Sequence, residues 1–382
     1  MIFRKALIFI LFLSYVLVVN LSGKKIHKIR VLIGNENSIS SVYFYGTYNL
    51  INKYNYRLIK NIQNLNLSFN ISNKGIKISN IGIFSGPILL VNGREDAFFK
   101  IDNYKYEGDL LIVNNNSHLL FINILPVEVY LKGVLPNEIS PSWNIEVIKA
   151  QAVAARTFAY YLINKNRDNL YDLTATTYSQ VYKGIINQNN IFNKAIKETK
   201  NQVMVYNKEL IEAFFHSCCG GHTEDAEKVW GKKLPYLRGV PCTYCRESPY
   251  YKWKVIYLKS EIIRLLTKNG YKINNIRAIV PARRSYSGRW IRVRIITGRK
   301  HIDIQANRFR IILGIKRLKS TRFRIRREGD KFIFIGNGWG HGVGMCQWGA
   351  KKMAEKGYKY YQILRYYYRG INIVNIDKVS GF

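Results

Sequence analysis

Between residues 145 and 163 the apolar positions Ile145, Ile148, Ala152, Ala155, Ala159 and Leu162 are spaced 3, 4, 3, 4 and 3. That spacing predicts one continuous seam on an α-helix and does not fit the period of two that a strand requires. Three of the six seam residues are alanine, so whatever covers this helix approaches its backbone closely. Ser142 or Asn144 is placed to cap its start. Lys149 and Arg156, seven apart, share a stripe expected to face polar surroundings, while Gln151 lies elsewhere on the cylinder.

The chain around this helix reads as α+β, a mixed α/β core between β-rich N-terminal and C-terminal segments. Residues 24–125 carry short β-branched and aromatic runs, such as Ile29-Arg30-Val31-Leu32-Ile33 and Asp109-Leu110-Leu111-Ile112-Val113, broken by Asn, Gly and Ser. Residues 126–249 form the α/β core. Within it, residues 136–141 are a turn-rich segment bracketed by Pro136 and Pro141, a second helix is expected over 191–200, and a strand over 202–206. Residues 250–335 return to strand texture with arginine alternation (Arg292, Arg294; Arg324, Arg326), as for sheets with one solvated face. Residues 336–382 hold a glycine-rich loop and a last helix over about 347–356 that complete the core. A hydrophobic content of 47% excludes a disordered chain despite the net charge of +36.

The N-terminus excludes some partners that this charge would otherwise suggest. Arg4 and Lys5 precede an apolar run over residues 6–19, then Ser22 and Gly23. Residues 1–23 therefore read as a signal peptide or an N-terminal anchor, and the protein as exported, periplasmic or extracytoplasmic. Only this segment is expected to touch the membrane. Export makes nucleic acid an unexpected partner and leaves anionic wall polymers as the fit for a basic protein.

Three segments carry side chains suited to chemistry. Glu138 lies between the two prolines, before the apolar helix, where a held and partly desolvated carboxyl group can act as a general acid; a carboxylate that merely complements a helix dipole reads the same way locally. Phe215-His216-Ser217-Cys218-Cys219-Gly220-Gly221-His222-Thr223-Glu224 is followed by Cys242-Thr243-Tyr244-Cys245. Cys219, His222, Cys242 and Cys245 match zinc-ligand spacing, with Cys218 or His216 as substitutes for one of them; a disulfide in an oxidising compartment is the competing reading, and free thiols are the third. Cys346 stands alone in sequence. The loop Gly338-Trp339-Gly340-His341-Gly342-Val343-Gly344-Met345 fits neither a dinucleotide fingerprint nor a phosphate loop. Its glycines allow close approach of backbone to a ligand, with Trp339 and Trp348 as stacking faces.

Together these segments resemble the SpoIID/LytB family, the stage II sporulation protein D proteins. The resemblance runs through Gly133-Val134-Leu135-Pro136-Asn137-Glu138, Lys149-Ala150-Gln151-Ala152-Val153-Ala154-Ala155-Arg156-Thr157 and Tyr178-Ser179-Gln180-Val181-Tyr182-Lys183-Gly184. It continues through Phe215-His216-Ser217, Gly220-Gly221-His222-Thr223-Glu224, Val229-Trp230-Gly231 and Gly338 to Ala350, in the family's order. It implies an exported lytic transglycosylase that cuts peptidoglycan strands lacking stem peptides, between N-acetylmuramic acid and N-acetylglucosamine, leaving 1,6-anhydro ends. Glu138 corresponds to the family's essential glutamate and would serve as acid and then base, with no cofactor needed for catalysis. The alternative is a non-catalytic wall-binding enhancer of an N-acetylmuramoyl-L-alanine amidase, with that amidase as partner. Lys149, Gln151, Arg156, Ser179, Gln180, Tyr182, His216, Thr223, Trp230, Trp339, His341 and Gln347 are the implied glycan contacts. Some members bind zinc through a Cys/His cluster next to the Ser-Gln-Val-Tyr segment; residues 171–178 hold neither residue type, so that site is expected to be absent.

Overall fold

Eight of the alternating runs up to residue 126, joined by a short strand at Leu173–Thr174, pair into a nine-stranded sheet. Its order is Leu173–Thr174, Lys28–Asn35, His118–Pro126, Asp109–Asn115, Ile88–Asn92, Val42–Asn52, Phe98–Ile101 and Tyr104–Glu107, with Leu58–Leu67 also paired to Val42–Asn52. All neighbours are antiparallel except Leu173–Thr174, which runs parallel to Lys28–Asn35. Leu110 to Val113 are buried on both faces, which is why this central strand is an unbroken apolar run. The structure is a computed structural model. It describes residues 26–94, 96–176, 179–185 and 190–382, so the expected export segment at 1–23 lies outside the described residues.

The chain divides into two units, each mixing helix and strand: an α+β protein. The first holds the described residues up to Pro141, with Ala155–Gln202 and Asn375–Phe382; the second holds Ser142–Ala154 and Val203–Val374. Helix α1 (Val127–Glu138) belongs to the first. The Pro-bracketed segment is thus not a turn throughout: the helix runs through Pro136 and ends at Glu138. Proline removes a donor, but only in the last turn, where Asn137 Nδ2 donates to Gly133 O (2.7 Å) and the Ile139 amide to Leu135 O (3.1 Å).

Helix α2 (Ile145–Lys165) is the seam helix, capped by Asn144, whose Oδ1 accepts from the Glu146 amide at 2.9 Å. Residues 150–160 are buried all round, so the expected polar stripe does not exist at Arg156. Helix α3 (Asn190–Glu198) and the strand Gln202–Tyr206 follow.

In the second unit, short helix α4 (Ala226–Trp230) precedes two three-stranded antiparallel sheets. One is Lys252–Leu258, Lys331–Asn337 and Phe323–Glu328; the other is Ala278–Arg284, Trp290–Ile296 and His301–Gln305. Val293 and Ile295 are buried while Arg292 is exposed, as the alternation requires. Helices α5 (Lys259–Lys268) and α6 (Ala306–Leu313) interrupt this region, which the strand reading alone did not anticipate. They place Ile262, Leu266 and Phe309 in one core with Trp253, Tyr257, Phe323 and Phe334. Helices α7 (Gln347–Glu355) and α8 (Tyr360–Tyr367) close the unit; only the first was anticipated.

Candidate functional site

In the first unit, α1 delivers Glu138 as its last residue, half-buried. Two turns before it, Tyr130 is fully buried and donates its hydroxyl to Gln180 Oε1 at 3.0 Å. Burial pushes the Tyr130 phenol well above its ordinary range, and the Glu138 charge pushes it further the same way. The two side chains therefore lie within electrostatic reach of each other.

The Ser-Gln-Val-Tyr segment is the scaffold under this helix. Gln180 Nε2 donates to Ala155 O at 3.4 Å, and Tyr182 donates to Asn123 Oδ1 at 2.8 Å. A Cβ on Gly133 would lie 2.4 Å from Gly184 O and 2.6 Å from the Tyr182 ring, so only glycine lets segment and helix touch. Gln180 and Tyr182 are buried in this packing instead of facing a ligand, and Ser179 Oγ lies 3.4 Å from the Thr174 amide.

Arg156 is also committed to structure. Its guanidinium forks onto Glu128 through Nε and Nη2, both at 2.8 Å, and donates to Thr199 Oγ1, Gln202 O and Ile196 O. It joins α1, α2 and α3 and is fully buried, which a bidentate guanidinium tolerates better than an ammonium would.

In the second unit, Gln151 and Gln347 are buried against each other, Nε2 to Oε1 at 3.4 Å, and Lys149 pairs with Glu146 at 3.1 Å. The strand pair Phe215–His216 and Met345–Cys346 sets the rest. Val343 donates its amide to His341 Nδ1 (3.1 Å), so Nε2 carries the proton and donates to Phe215 O (3.1 Å). His216 Nδ1 donates to Val343 O (3.1 Å), leaving Nε2 a buried acceptor. Burial, then neighbouring positive charge, lowers both imidazoles: His341 to about 3, and His216 well below the ordinary histidine value of 6.5. Thr223 pairs its hydroxyl with the Val240 backbone, accepting from the amide at 2.7 Å. Trp230 packs on Phe214 and His341 yet stays 37% exposed, and Trp339 meets Tyr250 edge-on.

A pH dependence follows from the two neutral histidines. Below pH 6.5 the unfolded chain takes up protons that the folded chain refuses, so stability falls as pH falls, down to about 3 for His341. Each histidine contributes a slope of about 1.4 kcal/mol per pH unit within its window. Urea titrations from pH 6.5 to 5 should give a slope that His216→Asn flattens by about one proton; an unchanged slope would remove His216 from this account.

Cys219, Cys242, Cys245 and Cys346 converge, their Sγ atoms all within 4.8 Å of one another and all buried. This corrects the expected ligand set: Cys346, not His222, is the fourth member. His222 Nδ1 instead bonds its neighbour Thr223 O at 2.6 Å. The parallel pairing of His216 with Cys346 brings the distant thiol in, and the Cys219 amide donates to Cys346 Sγ at 3.2 Å. Hydrogen bonds from the other thiols lower the Cys245 thiol, while burial raises those of Cys219 and Cys346. The cluster is compatible with a metal site or with disulfide formation.

The fold and these motifs define a class: a mixed α/β protein with a helix-terminal glutamate, a buried Arg156 strut and a Gly-His loop. The family described as "Stage II sporulation protein" (SpoIID) matches residues 115–206, and a domain of unknown function, DUF8618, matches residues 243–344. Stage II sporulation protein D of Bacillus subtilis is 32% identical over 270 residues, covering 66% of this chain and 76% of that protein. The amidase enhancer of Bacillus subtilis is 31% identical over 293 residues, 64% of this chain and 40% of that one. An uncharacterized protein of Brachyspira hyodysenteriae is 34% identical over 354 residues, covering 92% and 94%. The chain belongs to the SpoIID family. Among the described residues no helix is long and apolar enough to cross a membrane.

Proposed function

We propose that this chain is an exported lytic transglycosylase acting on peptidoglycan strands denuded of stem peptides. The observation that carries the reading is the placing of Glu138: half-buried, at the end of α1, between Pro136 and Pro141, with its charge felt by buried Tyr130. Glu138 as acid donates its proton to the glycosidic oxygen as the bond to muramic C1 breaks. The muramic C6 hydroxyl then closes on C1 and gives its proton to the Glu138 carboxylate, which restores the acid and leaves a 1,6-anhydro end. In the second unit, Trp230 and Trp339 are proposed to meet sugar rings.

The four converging thiols are proposed to hold one structural zinc. Tetrahedral thiolate zinc at about 2.3 Å per bond sets neighbouring sulfurs about 3.8 Å apart. Cys219 and Cys245 Sγ are 3.4 Å apart, and all four sulfurs lie within 4.8 Å of one another, which supports a shared ion.

Similarity to an amidase enhancer favours a second reading, a wall-binding partner of an amidase. Incubating the protein with denuded glycan and reading products by mass spectrometry separates the two. Anhydro-muramic ends support the enzyme. Glycan binding without them, together with acceleration of an added amidase, would establish the enhancer instead.

A further inference from the structure

The outer face of one sheet in the second unit sets aliphatic side chains among cations. In strand Lys252–Leu258 burial alternates: Trp253 and Tyr257 turn to the core, while Lys252, Lys254, Ile256 and Leu258 are exposed. Register with the central strand sets Ile256 beside Ile333 and Lys254 beside Ile335. The third strand adds Arg326 beside Ile333 and Arg324 beside Ile335. Residues two apart on a strand share a face, so Leu258, Ile256, Ile333 and Ile335 form one continuous aliphatic stripe. Ile333, in its middle, is buried, but Ile256, Leu258 and Ile335 are 44%, 50% and 52% exposed.

Lys252, Lys254, Arg324, Arg326 and Lys331 flank the stripe, all of them exposed. Glu328, the acidic residue of this face, pairs with Arg326, so the other four cations are not neutralised within it. Lysine on an edge strand also discourages pairing with another chain, but that role does not call for a half-exposed aliphatic stripe beside it. A second copy is a poor occupant, because two such faces would set cation against cation. A protein interface would be richer in aromatic residues and poorer in lysine. Aliphatic side chains ringed by long cationic ones suit the boundary of an anionic bilayer, where the stripe reaches acyl chains and the cations meet headgroup phosphates.

We propose that this sheet face docks the second unit onto an anionic phospholipid surface. Its three strands lie within residues 243–344, the stretch matched by the domain of unknown function, and the assignment gives that stretch a task. It extends membrane contact beyond the expected N-terminal segment and does not depend on glycan cleavage.

The test is amine labelling of the full chain, read lysine by lysine by mass spectrometry, with vesicles of phosphatidylcholine alone or mixed equally with phosphatidylglycerol. The readout is local because an apolar N-terminus could hold the chain on either vesicle. Anionic vesicles should slow labelling of Lys252, Lys254 and Lys331 several-fold and leave Lys74 and Lys77, exposed in the first unit, unchanged. Each cation at such a surface contributes about five-fold, so Arg324→Glu with Arg326→Glu should raise the lipid needed for half-protection roughly thirty-fold. Ile335→Ser should raise it roughly three- to ten-fold, since a half-exposed side chain gains only part of full burial. The substituted side chains are exposed, and the wild-type labelling tests the proposal without any substitution. Protection on neutral vesicles equal to that on anionic ones, or none on either, would overturn the proposal. So would an equal loss from Lys74→Glu with Lys77→Glu, which changes net charge by the same amount away from this face. Protection by soluble polyphosphate as strong as by vesicles, with Ile335→Ser without effect, would replace the bilayer by a polyanion. Protection that grows with protein concentration in the absence of lipid would make the face an interface between copies instead.

Discussion

Glu138→Gln is expected to lower release of anhydro-muramic ends from denuded glycan by roughly 10²–10⁴-fold, the range for loss of a general acid and base. The substitution is nearly isosteric, and the side chain is half-buried at a helix end, so packing changes little. Glycan binding and the melting temperature should stay close to wild type. The informative control is Glu128, on the same helix. Its carboxylate holds the buried Arg156 guanidinium at 2.8 Å through both oxygens. Glu128→Gln should therefore act on stability, where breaking a buried pair costs about 3–5 kcal/mol. Residual turnover near wild type in Glu138→Gln would remove Glu138 from the mechanism. A large stability loss in Glu138→Gln would make its role structural.

These two glutamates show what the sequence could and could not reveal. The 3,4 spacing gave α2 because the signal is local and its seam is buried along its length. The same periodicity placed Arg156 on a polar stripe, because its partners Glu128, Ile196 and Thr199 lie 28 to 43 residues away. Helix α1 was hidden by Pro136, whose local meaning is a break, although a proline in a last turn removes only one bond. Cys346 was read as isolated because nothing in the 100 residues before it announces a thiol cluster; a two-residue parallel pairing makes the connection. The glycine loop was legible as a place of close approach. That Gly342 lies against Arg289 was not, since no local pattern couples them.

The thiol cluster gives the second large effect. The purified protein should carry about one zinc per chain by mass spectrometry of the metal, and Cys242→Ser should lose it. A zinc held at a thousand times its Kd stabilises the folded chain by about 4 kcal/mol, and one kcal/mol moves the melting point of a unit this size by about 2–4 °C. Chelation should then lower the melting temperature by roughly 8–16 °C without unfolding the chain outright, because the unit has its own apolar core around Tyr257, Phe309 and Phe334. The sign with pH is fixed as well. Ligating sulfur must be deprotonated, so acid competes with the metal and the effect of chelator shrinks as pH falls. Thiol titration of the unreduced, denatured protein distinguishes the oxidised alternative. Denaturing the chain in chelator should expose five thiols if the four hold zinc, since Cys218 is also free. Two disulfides would expose one, and reductant instead of chelator would then lower the melting temperature.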